Sequence, residues 1–368
     1  MRPLGIYVHI PFCVKKCNYC DFSSHAPRDP GEIERYFAGL AVPGDSEGTP
    51  EEEKHFVDTV FFGGGTPSFV EPQYIAGVLE KIRAAYPVTD DAEITIECNP
   101  ESLTEEKLEA YRGMGVNRVS IGVQSLDDTV LRRMGRAHDA EKARAAVRLA
   151  VSAGFNTSCD LIFGAPEQSF ESFSTGLDEL LGMGIKHISF YSLQIEEGTP
   201  FYIDYRFGSL ALPSWEENRR MYHYAVDAVK AAGFRHYEVS NAAVPGFECR
   251  HNLKYWTMQE YLGIGKAAHS FMGGRRFAGG QPDPDGSTDV NELKTDFIFT
   301  ELRLTDGFDK NAYFSRFGSS FDKDFGGAAK SLAEGGFLAL RGESVAFTPK
   351  GLDNTNKVME KLINALED

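Results

Sequence analysis

The sequence predicts an α/β fold: an open, partial, TIM-like (β/α)6 barrel followed by a small, mostly helical, winged-helix-like domain. Apolar, β-branched runs of strand length alternate with helix-length stretches as far as residue 232, which implies a parallel sheet with right-handed crossovers. Six such cycles are counted, short of the eight that close a barrel. The polar and glycine-rich residues best suited to binding fall at the C-terminal ends of those runs, where barrel proteins place their sites.

The first run, Tyr7-Val8-His9-Ile10, breaks at Pro11 and opens into a loop holding Cys13, Cys17 and Cys20 at C-x3-C-x2-C spacing, ending at Asp21-Phe22. Three such thiolates can each hold one iron of a cubane cluster, leaving the fourth iron open to a small molecule. The residues alone also allow a three-cysteine zinc site completed by His9, His25 or Asp21, or three separate reduced thiols.

A helix is expected over Glu32 to Leu40 and an acidic loop over Ala41 to Lys54. The next strand, Val57 to Phe62, ends in Gly63-Gly64-Gly65-Thr66-Pro67-Ser68 before a helical stretch through Ala84. Bare backbone there can offer N–H groups to a carboxylate or phosphate, although glycine-rich turns also serve purely steric ends. Glu93 to Cys98 alternates and turns at Asn99-Pro100, which puts Glu97 and Asn99 at a strand end. A carboxylate in that place can accept hydrogen bonds from ribose hydroxyls, or be an ordinary exposed acid.

Arg118 to Gln124 is the following strand; the Gln124 amide suits an adenosine or second-ligand contact, or caps a turn. Leu126 to Ala153 reads as helix broken at Gly135-Arg136-Ala137-His138, with Arg136 either a ligand contact or an exposed helix-end charge. Asn156 to Ile162 forms another strand and carries Asp160, a candidate for an amino or hydroxyl contact. A helix over Phe170 to Met183, a strand over His187 to Tyr191 and a helix over Trp215 to Ala232 complete the barrel.

Past a short strand at Arg235 to Ser240 comes Glu248-Cys249-Arg250-His251-Asn252-Leu253-Lys254-Tyr255-Trp256, read as an aromatic loop. His251 beside Tyr255 and Trp256 could hold a flat macrocycle by axial ligation and stacking, or be a structural histidine; Cys249 could supply a thiolate instead. Gly263 to Ser270 is glycine-rich without a complete G-x-G-x-x-G spacing. Gly279 to Ser287 reads as a linker. From Asn291 onward the chain reads as three helices, two short strands flanking Arg341-Gly342-Glu343, and a last helix. The expected division is 1–235, 236–288 and 289–368.

With 368 residues, 42% of them hydrophobic, the chain can bury a large core. Its 54 acidic against 38 basic residues leave a charge of −16, so nucleic acid is not an expected partner. Three of the six cysteines crowd into eight residues, which suits metal chemistry in a reducing compartment better than a disulfide framework; Cys98, Cys159 and Cys249 stand apart. No apolar run approaches the ~20 residues of a membrane span, and no signal core is read at the start, so a cytoplasmic setting is expected.

The cysteine hook resembles the radical S-adenosylmethionine (SAM) superfamily, in which SAM chelates the open iron of a [4Fe-4S] cluster through its amino and carboxylate groups. The run from Tyr7 to Phe22 resembles the branch that holds oxygen-independent coproporphyrinogen III oxidases and the HemW-type heme chaperones. The oxidases carry a further cysteine two positions after the third; here that position is Phe22, as in the chaperone group. The resemblance implies a cluster on Cys13, Cys17 and Cys20, and a SAM site drawn from Tyr7, Tyr19, Gly64, Gly65, Thr66, Glu97, Asn99, Gln124, Arg136 and Asp160. Asp160-Leu-Ile-Phe-Gly-Ala-Pro166 resembles the family's D-L-I-Y-G-L-P, departing at Phe163 and Ala165. Gly263 to Ser270 resembles its G-x-G-A-x-S region, expected near the SAM site.

H-N-x-x-Y-W matches the chaperone group's heme motif and makes His251 an axial ligand. The implied function is a heme chaperone that delivers heme to acceptor proteins, respiratory ones among them; the family admits a homodimer and peripheral membrane association. The alternative is radical SAM decarboxylation of coproporphyrinogen III to protoporphyrinogen IX. Phe22, the heme motif and a hook close to the chain start weigh against it.

Overall fold

The computed structural model describes residues 1–45, 50–278 and 289–366. Its organising strand is β1 (Arg2–Ile10), where Leu4, Ile6, Val8 and Ile10 have no exposure. The chain then runs α1 (Glu32–Ala38), β2 (His55–Gly64), α2 (Pro72–Ala85), β3 (Val88–Cys98), α3 (Glu105–Gly113), β4 (Arg118–Gln124), α4 (Asp128–Met134), α5 (Ala140–Ser152) and β5 (Asn156–Phe163). It continues through α6 (Phe170–Gly182), β6 (His187–Ser192), α7 (Pro200–Arg206) and α8 (Trp215–Ala231). β1 to β6 pair in parallel in chain order, as expected of strands joined by helical crossovers. Helices cover the apolar face of these strands, where Val119, Ile121 and Val123 of β4 pack, while the other face turns inward and carries polar residues such as Arg118, Ser120 and Asp160.

The sheet is longer than six strands. Beyond β6, β8 (Asn241–Ala243) pairs antiparallel, and β7 (Arg235–Glu238) pairs with β8. On the opposite edge β9 (Tyr261–Ile264) runs parallel to β1, with Tyr7 opposite Gly263, and leads into the hairpin of β10 (His269–Met272) and β11 (Arg275–Ala278). The eleven-stranded order ends on β11 and β7 without joining them, so the barrel stays open. The expected boundary at 235 falls inside this sheet. Residues 250–256, read from sequence as a loop, form α9 (Arg250–Trp256): the Glu93 carboxylate on β3 accepts hydrogen bonds from the backbone N–H groups of Arg250 and His251, both at 3.0 Å, and so caps the helix N-terminus.

The C-terminal part holds α10 (Val290–Glu301), β12 (Phe308–Asp309), α11 (Lys310–Phe317), α12 (Phe321–Glu334), β13 (Leu338–Arg341), β14 (Ser344–Phe347), α13 (Pro349–Leu352) and α14 (Thr355–Asn364). β13 and β14 make the expected hairpin, and β12 adds a third strand against β14. Phe297, Phe308, Tyr313, Phe321 and Phe325 build its core, which Met258 and Phe271 from the barrel side join. The expected linker, Gly279 to Ser287, lies outside the described residues. Among those described, no helix is long and apolar enough to cross a membrane.

Glu301, 8% exposed at the end of α10, has its carboxyl pushed up to about 7 by burial, against a partial pull from Arg316. An acid that holds its proton more tightly when folded loses stability as pH rises from its unfolded value near 4.5 to about 7. Glu301→Gln is therefore expected to raise the unfolding free energy at pH 8 by up to about 2–3 kcal/mol. At pH 4.5 the gain should vanish; equal urea midpoints for the two proteins at pH 8 would refute the assignment.

Candidate cofactor site and its neighbouring cavity

The cysteine loop leaves β1 at the sheet's C-terminal edge and is fastened on several sides. Cys13 donates its N–H to His25 O (3.0 Å). Asn18 donates its N–H to Met134 O (2.9 Å) and its side-chain amide to Arg133 O (2.9 Å), tying the loop to the end of α4. α7, absent from the sequence reading, buttresses it: Phe201 is fully buried and donates its N–H to Asn18 O (2.9 Å).

Cys13 is buried while Cys17 and Cys20 are partly exposed, and all six cysteines are free. Burial pushes the Cys20 thiol up. The three sulfur-bearing residues edge a cavity of about 470 Å³. Among the described residues, no three His, Cys, Asp or Glu side chains converge on a point that could hold a single metal ion. The imidazoles weighed for a zinc site are engaged elsewhere, His9 with Tyr7 Oη and Ser23 O (both 3.0 Å) and His25 with Glu32 Oε1 (2.9 Å).

The glycine run enters beside the hook because β1 and β2 pair His9 with Gly63 and Ile10 with Gly64. Gly65 donates its N–H to Ile10 O and Thr66 its N–H to Phe12 O, both at 2.8 Å. A Cβ on Gly65 would stand 2.7 Å from Phe12 O and 3.0 Å from Cys13 Sγ, so the cradle around that thiol admits only glycine. Gly64, at φ +112°, donates its N–H to Glu97 Oε2 (3.1 Å).

Arg136 joins these strand ends. Its Nη2 donates to Asn99 Oδ1 (2.7 Å) and Gly122 O (2.8 Å), and its Nη1 to Cys17 Sγ and Tyr19 Oη (both 3.4 Å). Asn99 in turn donates to Thr66 Oγ1 (3.0 Å). Burial opposes the charge on Arg136, but the facing Tyr19, Cys17 and Glu101 outweigh it and hold the guanidinium above its ordinary range. It is not an exposed helix-end charge.

On the opposite wall Ser120 donates to Asp160 (3.3 Å). Burial and the neighbouring Asp160 push the Glu97 carboxyl up to about 7, and burial raises Asp160 as well. Gln124, at φ +64°, sits on the same wall.

Cys13, Cys17, Cys20, Tyr19, Gly64, Gly65, Thr66, Glu97, Asn99, Gln124, Arg136 and Asp160 thus line one cavity. Tyr7 does not. It lines a neighbouring cavity of about 710 Å³ together with His9, two residues on and therefore on the same face of β1. Phe22, Asp21, Gly64 and Glu97 border both cavities. Arg118 and Ser120 line the first cavity and were not singled out from sequence, although their spacing of two from Gly122 and Gln124 is the signal that could have found them.

His251 lines neither cavity directly. It is fully buried on α9, hydrogen-bonded through Nδ1 to Thr59 Oγ1 and through Nε2 to Tyr255 Oη, both at 2.8 Å, and stacked on Phe61. Burial, aided by Lys254 and Arg118, pulls its imidazole down to about 3. Tyr255 stands between it and the 710 Å³ cavity. Cys249 cannot offer a ready thiolate: burial pushes its thiol up to about 12, and it donates to Glu93 Oε1 (3.6 Å). The Gly263 to Ser270 stretch contributes Ala267 and His269 to the 710 Å³ cavity rather than to the cysteine cavity.

Residues 7–180 match the radical SAM superfamily and residues 289–353 the HemN C-terminal domain. The heme chaperone HemW of Bacillus subtilis is 32% identical over 98% of this chain and 99% of its own length. That of Escherichia coli is 38% identical over 73% of this chain and 70% of its own. The solved coproporphyrinogen III oxidase HemN of Escherichia coli superimposes with a TM-score of 0.78 at 21% identity, covering 98% of this chain and 90% of its own, which speaks for the fold. With a relative matched at 32% identity along essentially the whole of both chains, over a radical SAM domain that contains the cysteine hook, this chain belongs to the HemW family of the radical SAM superfamily.

Proposed function

We propose that this protein is a heme chaperone: it holds a [4Fe-4S] cluster on Cys13, Cys17 and Cys20, SAM in the 470 Å³ cavity and heme beside α9, and passes heme to acceptor heme proteins. Phe22 carries this reading. It stands 61% exposed at the border of both cavities, where the oxidases of this branch have a further cysteine. The donor set fits the cluster, with three thiols on a pinned loop, a glycine cradle behind Cys13 and a guanidinium that donates to Cys17 Sγ at 3.4 Å. When bound, the cluster with SAM supplies one-electron chemistry; the chain orients the ligand through Thr66, Asn99 and Arg136 and offers carboxylates at Glu97 and Asp160. Respiratory acceptors, self-association and contact with a membrane surface belong to the same proposal.

Anaerobically reconstituted protein, given SAM, a reductant and coproporphyrinogen III, is expected to bind hemin and to form no protoporphyrinogen IX. Turnover would make it an oxidase. For His251 to meet the iron, Tyr255 must release Nε2. Tyr255→Phe is thus expected to strengthen hemin binding and His251→Ala to weaken it by roughly tenfold or more. Unchanged affinity and Soret band in His251→Ala would remove His251 from ligation.

A further inference from the structure

The 710 Å³ cavity is of the size that binds small molecules and cofactors, on the order of 300–1,000 Å³. It opens between the cysteine loop, α9, the β10–β11 hairpin and α10. Broad aromatic faces line it, those of Phe22, Tyr255, Trp256, Tyr261 and Phe299. Polar groups enter from the first strand and the cysteine loop, at His9, Asp21 and Glu97, and from the β10–β11 hairpin, at His269 and Arg276. His269, the first residue of β10, is exposed, and among the described residues its ring enters no hydrogen bond. Arg276 on β11 stands near it, held at Nε by Asp296 (3.1 Å). An imidazole, a guanidinium and flat aromatic walls are the groups that receive a metal, a carboxylate and a planar macrocycle. The contrast with His251 is direct, since both of that residue's ring nitrogens are already engaged.

We infer that this cavity seats the tetrapyrrole and that His269 supplies an axial ligand to its iron, with Arg276 receiving a propionate. The inference rests on the heme-chaperone reading and adds to it a ligand that is accessible without rearrangement.

Hemin titration of the full chain, followed at the Soret band, tests this. His269→Ala is expected to weaken hemin about tenfold and to shift the band, and added imidazole should restore the wild-type spectrum. Arg276→Gln should weaken a hemin bearing free propionates more than its dimethyl ester. Because His269 is exposed, the variant's thermal unfolding should match wild type, so that weakened binding is not misfolding. Wild-type affinity and spectrum in His269→Ala overturn the assignment while leaving the chaperone reading intact; absence of hemin uptake by the wild-type chain overturns both.

Discussion

Arg136→Met is expected to destabilise the cluster-free protein by about 3–5 kcal/mol, the range found when one partner of a buried charged network is removed. The substitution approximates the side chain's length and apolar stem, so the loss is one of donors. Gly122 O, Asn99 Oδ1 and Cys17 Sγ would each lose an N–H, and Asn99 would lose the anchor that holds it against Thr66. Lysine should not rescue, because one ammonium cannot reproduce a fork that meets two oxygens from a single Nη2 and a sulfur from Nη1. Urea unfolding of the apo protein reads the stability, and iron content after reconstitution reads the consequence for the cysteines. A midpoint unchanged from wild type would show that the network is ornamental.

Gly65→Ala is expected to cut cluster loading to roughly half or less while costing the fold only about 1–3 kcal/mol, as overpacking does. The added methyl would press on Phe12 O at 2.7 Å and Cys13 Sγ at 3.0 Å. The backbone cannot retreat cheaply, because Gly65 and Thr66 are both hydrogen-bonded to the hook at 2.8 Å. The thiol is the softer neighbour and moves first. Gly77→Ala in α2 is the matched control: a Cβ there meets nothing within 4 Å, and alanine should stabilise the helix by up to about 1 kcal/mol with full iron content. Equal iron in the two variants would sink the cradle argument.

The parallel strands β1 to β6 were legible because the face each turns to the helices is written in apolar, β-branched residues; observed and expected limits differ mainly at the ends. The residues that meet around the cysteines were legible for a related reason, since strand ends in such a sheet converge. α9 was not legible. Its seven residues include two bulky aromatics and no capping side chain of their own, and the carboxylate that caps its N-terminus belongs to Glu93, 157 positions from Arg250. β9, β10 and β11 hold four residues each; β9 forms by pairing with β1 across about 250 residues, and β10 and β11 follow it outward, none of which a local pattern announces. Tyr7, which resemblance makes a SAM contact, shares a face with His9 and opens on the cavity next to that of the cysteines, a placement no local pattern announces. His251 could be read as a ligand or as a structural residue, and only the fold reveals that Thr59 and Tyr255 occupy its ring.

The placement of β9 beside β1 also bears on how the chain is made. β1 ends at Ile10 and β9 starts at Tyr261, so about 250 residues must leave the ribosome before one edge of the organising strand is covered. An apolar strand with an open ladder invites pairing with other chains for as long as it waits. At ordinary rates of synthesis, about 5–20 residues per second, that interval is on the order of ten seconds to a minute. Fragments ending before residue 261 should therefore aggregate, and fragments that extend through β9 should do so less, which places the first point of safe folding late in translation.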